Sequence, residues 1–146
     1  MALSTASSVG YTKYTAGGMS NFISQHWNHD VLCVHDEYTV PAATLADPCI
    51  VSIGRMPKGS RVLFSFITYS AASAAVIGTL KVGSTTVGAV TSMTAAGSQY
   101  LPVLIAAAGT ATTAEADVTF TTSGAVAPAA MNFTVSVFYI QDGIGA

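Results

Sequence analysis

The sequence predicts an all-β fold: an antiparallel β-sandwich of jelly-roll type, with about eight strands behind an irregular N-terminal arm. Three observations predict it. Apolar and polar residues alternate with period two in several stretches. Gly, Pro and Ser punctuate the chain at intervals of about 8–12 residues, the spacing of an all-β domain. No window of adequate length repeats its apolar residues at the helical period, and the Ala-rich piece Ala106 to Ala114 carries Gly and several Thr, which oppose a helix. An up-and-down barrel is the alternative architecture. The expected division is an arm over residues 1–30 and a β-sandwich over residues 31–146.

The arm is rich in Ser, Thr and Gly, carries Tyr11 and Tyr14, and breaks at Gly17-Gly18. It holds no sustained period, so it reads as a lead-in, with a short helical turn near Met19 to Trp27. Val31 to Val40 is a strand that stops at Pro41, and Cys49 to Ile53 is a short one that stops at Gly54. Met56-Pro57-Lys58-Gly59 is a turn, because Pro presets φ and Gly supplies a permissive backbone. Arg61 to Thr68 then alternates, Val62, Phe64, Phe66 and Thr68 on one face and Leu63, Ser65 and Ile67 on the other. Val76 to Val82 and Thr85 to Ser92 form a hairpin about Gly83-Ser84. Tyr100 to Ala106 is an apolar run in which Pro102 implies an edge or a strand start. The last two strands alternate most clearly. Ala116, Val118 and Phe120 face one way, as do Met131, Phe133, Val135, Val137 and Tyr139, with polar residues between them.

Composition narrows the function. The 146 residues are 51% hydrophobic, which excludes intrinsic disorder. Only 8% are charged, against about 25% in an average soluble domain, and the net charge is −2. Arg55, Lys58 and Arg61 are the one local basic group, so nucleic acid is not an expected partner. Roughly two-fifths of the chain is Ala, Ser and Thr. Surfaces of hydroxyls and methyls are cheap to desolvate, since no ion has to leave water. That suits a protein whose faces end against other subunits, the alternative being a secreted domain with a neutral surface. The first residues lack the basic and apolar regions of a signal peptide. The uncharged stretch Val62 to Leu80 reads as strand, turn and strand instead of a membrane span. Cys33 and Cys49 are expected as reduced, buried thiols.

Little in the chain carries chemistry. His26, His29, Cys33 and His35 cluster with Asp30, Asp36 and Glu37, but their spacing matches no zinc motif and a distant ligand pair is missing. No nucleophile elbow is present, and Asp36 and Glu37, adjacent on a strand, point to opposite faces. The residues call for no enzyme activity, no cofactor and no metal. The aromatic residues Tyr11, Tyr14, Phe22 and Trp27, without a core period, read as anchors to a neighbouring subunit.

The punctuation Tyr38 to Leu63, with its Met56-Pro57-Lys58-Gly59-Ser60-Arg61-Val62 turn, resembles small structural proteins of tailed bacteriophages. So do Gly78-Thr-Leu-Lys-Val-Gly83 and the closing strand Phe133 to Asp142. The resemblance spans residues 38–142 and implies a virion component, a head decoration or cement protein made in the host cytoplasm. It implies the major capsid protein and further copies of the chain (a trimer or dimer) as partners, with no membrane involved. The other readings are a receptor- or glycan-binding module of a tail, fibre or vertex, and a metal protein built on the His and Cys cluster.

Overall fold

The computed structural model describes residues 4–7, 31–41, 47–72, 75–103 and 111–141. The expected helical turn at Met19 to Trp27 lies outside them, as does most of the arm. The described residues form nine strands and no helix: β1 (Ser4–Ser7), β2 (Leu32–Thr39), β3 (Cys49–Met56), β4 (Ser60–Tyr69), β5 (Ile77–Val82), β6 (Thr85–Val90), β7 (Gly97–Pro102), β8 (Ala116–Ser123) and β9 (Asn132–Gln141). None of the described residues forms a helix long and apolar enough to cross a membrane.

Two sheets result, one of five strands in the order β1-β3-β8-β5-β6 and one of four in the order β2-β9-β4-β7. From β2 onward every pairing is antiparallel. The pairs β2–β9, β3–β8, β4–β7 and β5–β6 are those of one long hairpin. The pairs β9–β4 and β8–β5 close it into two sheets. This is the strand order of a jelly roll. To it β1 adds a parallel pairing with β3, Ser4 opposite Cys49 through Ser7 opposite Ser52. A strand therefore stands within the segment read as a lead-in.

Alternation explains how the sheets meet. Phe133, Val135, Val137 and Tyr139 of β9 are buried, as are Val118, Phe120 and Thr122 of β8. The Phe120 and Phe133 rings, one from each sheet, lie 5.0 Å apart and tilted by 51°. Val51, Ile53, Met56, Leu80, Val87 and Leu101 complete the inter-sheet layer around them. Gly78 makes room for that packing: a Cβ there would come within 2.1 Å of Phe120 Cζ. Ser60 and Thr112 lash the turn after β3. Both hydroxyls donate to the Pro57 carbonyl, at 2.7 and 2.8 Å, while the Gly59 N–H donates to the Thr112 carbonyl at 2.8 Å. Gly59 takes a positive φ of 82°, which its permissive backbone allows.

Three expectations need correction. The second strand does not stop at Gly54. It runs on to Met56 through a bulge between Ser52 and Gly54, and a Cβ at Gly54 would meet the Val34 side chain at 2.7 Å. The glycine is there for close approach between strands, not for a turn. The strand expected at Tyr100 to Ala106 lies earlier, at Gly97–Pro102, because pairing with Phe64 to Tyr69 draws in Gly97, Ser98 and Gln99, which carry no apolar signal. It is an edge strand, as Pro102 implied. Finally, Val62 does not share a face with Phe64 and Phe66. The register of β4 against β9 shifts between Val62 and Phe64, so Val62 packs on the core while Ser65 and Ile67 become the inward residues.

Replacing Gly78 with Ala overpacks the Phe120 site and is expected to destabilise the domain by about 1–3 kcal/mol. Urea unfolding should show a lower midpoint with an unchanged slope.

Candidate interaction surface

The β4 bulge decides what the four-stranded sheet shows to solvent. With Ser65 and Ile67 turned inward, Phe64 and Phe66 turn out. On β9, Phe138 has the parity of Asn132, Thr134 and Ser136, and it too faces outward. The register places Phe138 and Pro102 on either side of Phe64, and Tyr100 beside Phe66. Four rings thus gather on one face. Phe64 stacks on Phe138 at 4.7 Å and 24°. Phe66 meets Phe64 at 5.8 Å and 83°, Tyr100 at 5.3 Å and 61°, and Phe138 at 6.3 Å and 88°. Phe66 is 42% exposed and Tyr100 51% exposed, so the cluster is open to solvent at its β7 side. Edge-to-face and offset contacts of this kind hold rings together beyond what area burial alone contributes, by about 0.5–1.5 kcal/mol per pair. The bulge residue Leu63 is also exposed.

Around the rings the face is hydroxyl-rich. Thr68, Ser98 and Thr134 occupy one row across β4, β7 and β9, and Ser65 is held inward with its hydroxyl donating to the Leu101 carbonyl at 3.4 Å. The β2 edge contributes Cys33, His35 and Glu37. His35 Nδ1 lies 2.7 Å from Ser136 Oγ, a side-chain bond that ties the edge strand to β9.

The sequence-derived candidates fall differently. Tyr11, Tyr14, Phe22 and Trp27 lie outside the described residues, as do His26 and His29. Of the His and Cys cluster, Cys33 and His35 share the outer face of β2, as period two requires. Among the described residues, no three of His, Cys, Asp and Glu come close enough to hold a metal ion. Cys33 is exposed and not buried, because its parity on β2 is the outward one. Cys49 is buried, and neither forms a disulfide. Desolvation nonetheless pushes the Cys33 thiol up from its ordinary value, only partly offset by a backbone hydrogen bond with Val137. A thiol so shifted is a poor nucleophile and a poor ligand at neutral pH.

The basic group does not converge on one surface. Arg55, on β3 in the five-stranded sheet, bonds Asp117 through Nε and lies 3.7 Å from Glu115. Arg61 belongs to the other sheet, opposite Ile140. At the end of the sandwich, the β5–β6 turn, Ser60 and the 111–116 segment border a groove of about 260 Å³. Its walls are mostly methyls and hydroxyls, without the convergent polar groups that orient a small ligand.

The aromatic face escaped sequence reading, which placed Phe64 and Phe66 with Val62. Phe138 was the available signal: it sits at the polar parity of the most regular strand, so its ring cannot reach the core.

No family model matches the chain, and no curated protein is similar to it in sequence. Solved structures share its fold. A chain in the structure titled "Capsid of Ralstonia phage GP4" superposes with a TM-score of 0.70 and 16% identity, over 98% of this chain and 100% of that one. A chain in "Cyanophage Pam1 capsid asymmetric unit" does so with a TM-score of 0.53 and 18% identity, over 82% and 91%.

Two outcomes are expected from the side chains described. Phe66→Ser and Tyr100→Ser, at the exposed end of the cluster, should each cost about 0.5–1.5 kcal/mol of stability through the ring contacts they remove. Phe138→Ala, which unstacks Phe64, should cost about 1–2 kcal/mol in the same denaturation assay. The second outcome concerns alkali. Burial, with the nearby Cys33 second, pushes the Tyr139 phenol above its ordinary value. The unfolded chain releases that proton near pH ~10, the folded chain only higher. Stability from this group is therefore complete below pH ~10 and falls as pH rises through the folded value. Melting temperatures recorded between neutral and strongly alkaline pH should fall less steeply for Tyr139→Phe.

Proposed function

We propose that the chain is a non-enzymatic structural component of a virion, a decoration or cement protein. It binds the outer surface of an icosahedral phage head and stabilises the junctions between capsomers. The observation that carries this reading is the end-to-end likeness to a chain of the GP4 capsid structure, over 98% of one and 100% of the other. The likeness spans the whole domain and not a fragment of it, and the matching chain is of about the same length. The residues support it independently. A chain with 8% charged residues presents faces that lose little hydration on docking. An open cluster of four aromatic rings is the kind of patch that marks a protein contact.

The partners are the major capsid protein and, in the oligomer, further copies of the chain, with neither nucleic acid nor membrane involved. The mechanism is linkage. A protein that binds the assembled lattice and not its dissociated subunits stabilises the lattice by its binding free energy, about 2.7 kcal/mol per site at a concentration 100-fold above Kd. Symmetry repeats that contribution over the shell, and an oligomer that spans several sites adds avidity.

Copy number tests this. Quantitative mass spectrometry of purified particles of the source phage should find on the order of hundreds of copies, in fixed ratio to the major shell protein. About a dozen or fewer would instead assign the protein to a vertex, tail or fibre as a binding module. Absence from the particle would overturn the virion reading.

A further inference from the structure

We propose that the aromatic outer face of the four-stranded sheet, centred on Phe66 and Tyr100, is the surface that docks on the shell, and that its counterpart there is an uncharged, aliphatic patch. This inference rests on the function proposed above and names the contact surface for it.

The partner's chemistry follows from where the charges are. The outward rows of the sheet carry Glu37 on β2, in the Thr134 row, and Arg61 on β4, opposite Ile140. The rings occupy the rows between them, at Phe138 and Ser136, where the side chains are aromatic, hydroxyl, thiol, imidazole and proline. A charged group pressed onto that middle would lose its hydration and find no opposite charge, at a cost of several kcal/mol. An uncharged surface loses nothing comparable.

Ring geometry separates a protein counterpart from a sugar. A pyranose stacks its C–H face on a flat, open ring. Here Phe64 lies 24° from Phe138 and 37° from Tyr100, while Phe66 stands at 83°, 61° and 88° to the three, so one ring rises edge-on among tilted faces. Such a corrugated surface interlocks with branched aliphatic side chains.

Size separates the shell from a second copy. Four strands about 4.8 Å apart, along rows spanning roughly 25 Å, give a face of about 500 Å². Two such faces pressed together would bury about 1,000 Å², short of the roughly 1,600 Å² of a stable stand-alone complex. A contact of that size becomes firm when it is repeated by a lattice or joined to other contacts.

The test uses the full chain and empty shells of the source phage stripped of it. Wild-type protein and the double variant Phe66→Ser/Tyr100→Ser are titrated onto the shells, and bound protein is measured after pelleting. Ile77→Ser/Val126→Ser, which removes exposed apolar residues elsewhere on the domain, serves as the control. The double variant should bind about 30-fold more weakly, as expected when an aromatic hot spot is lost. It should remain cooperatively folded with the wild-type solution mass, and the control should bind like wild type. A double variant that binds as tightly as wild type overturns the proposal and leaves the functional reading standing. So does one that binds undiminished but changes its solution mass by light scattering, which would assign the face to contact between copies. Wild-type protein that fails to bind the shell overturns both. Restored binding by Phe66→Leu, which keeps an apolar side chain, would further support an aliphatic counterpart over a specific polar one.

Discussion

Everything in this domain is arranged around one contact, the Phe120 ring on the Phe133 ring across the gap between the sheets. The two residues belong to β8 and β9, each of which is flanked on both sides within its sheet. β8 lies between β3 and β5, and β9 between β2 and β4. Anchoring β8 to β9 through their largest fully buried side chains therefore fixes the sheets to each other, and the remaining strands are added outward from that pair. Gly78 is the concession that lets it happen, since the strand beside β8 gives up a side chain where the Phe120 ring lies. The close approach of β3 to Val34 at Gly54 is a second case of the same economy of space. An interior packed at crystal-like density leaves no slack for a methyl at such places.

The exterior follows a different logic. Few ions are present, and Arg55 is joined to Asp117 and Glu115. Hydroxyls do work that charges do elsewhere. Ser60 and Thr112 lock the turn after β3, and Ser136 holds the His35 ring of the edge strand. Each such bond contributes modestly, about 1 kcal/mol net. Their advantage is that a surface built this way can be covered by another molecule without stranding a charge. The aromatic cluster on the four-stranded sheet is the exception to a bland exterior.

Regular alternation was the legible part of this chain. β9 can be read directly from Phe133 to Tyr139, because every second side chain is apolar and the strand is half-buried along its whole length. The hairpin at Gly83-Ser84 was equally plain, and Gly83 takes the positive φ that the turn needs. What escaped was every feature set by a partner strand. The bulge at Leu63 depends on how β4 lies against β9, and no periodicity within β4 reveals it. Yet that one-residue slip sends Ser65 inward and two phenylalanines outward, against their own hydrophobicity. The aromatic surface is in this sense a product of register, and register is a property of pairs. The parallel β1–β3 pairing was missed for a similar reason, since Ser4 to Ser7 shows no alternation and is held through backbone bonds.

The central position of β8 and β9 bears on how the chain is made. During synthesis β2 to β7 leave the ribosome first, yet of their mutual pairings only β5–β6 and β4–β7 can form before β8 and β9 arrive. β2 and β3 emerge without any neighbour for the antiparallel ladders they later enter. Ser123 must clear the exit tunnel before the five-stranded sheet can close, and Gln141 before the four-stranded one can. Until then a nascent chain that is half hydrophobic displays unpaired edges, the state in which aggregation competes with folding. The many Ser and Thr residues that make the finished surface easy to cover also keep those waiting strands soluble, so one compositional choice serves both the growing polypeptide and the mature protein.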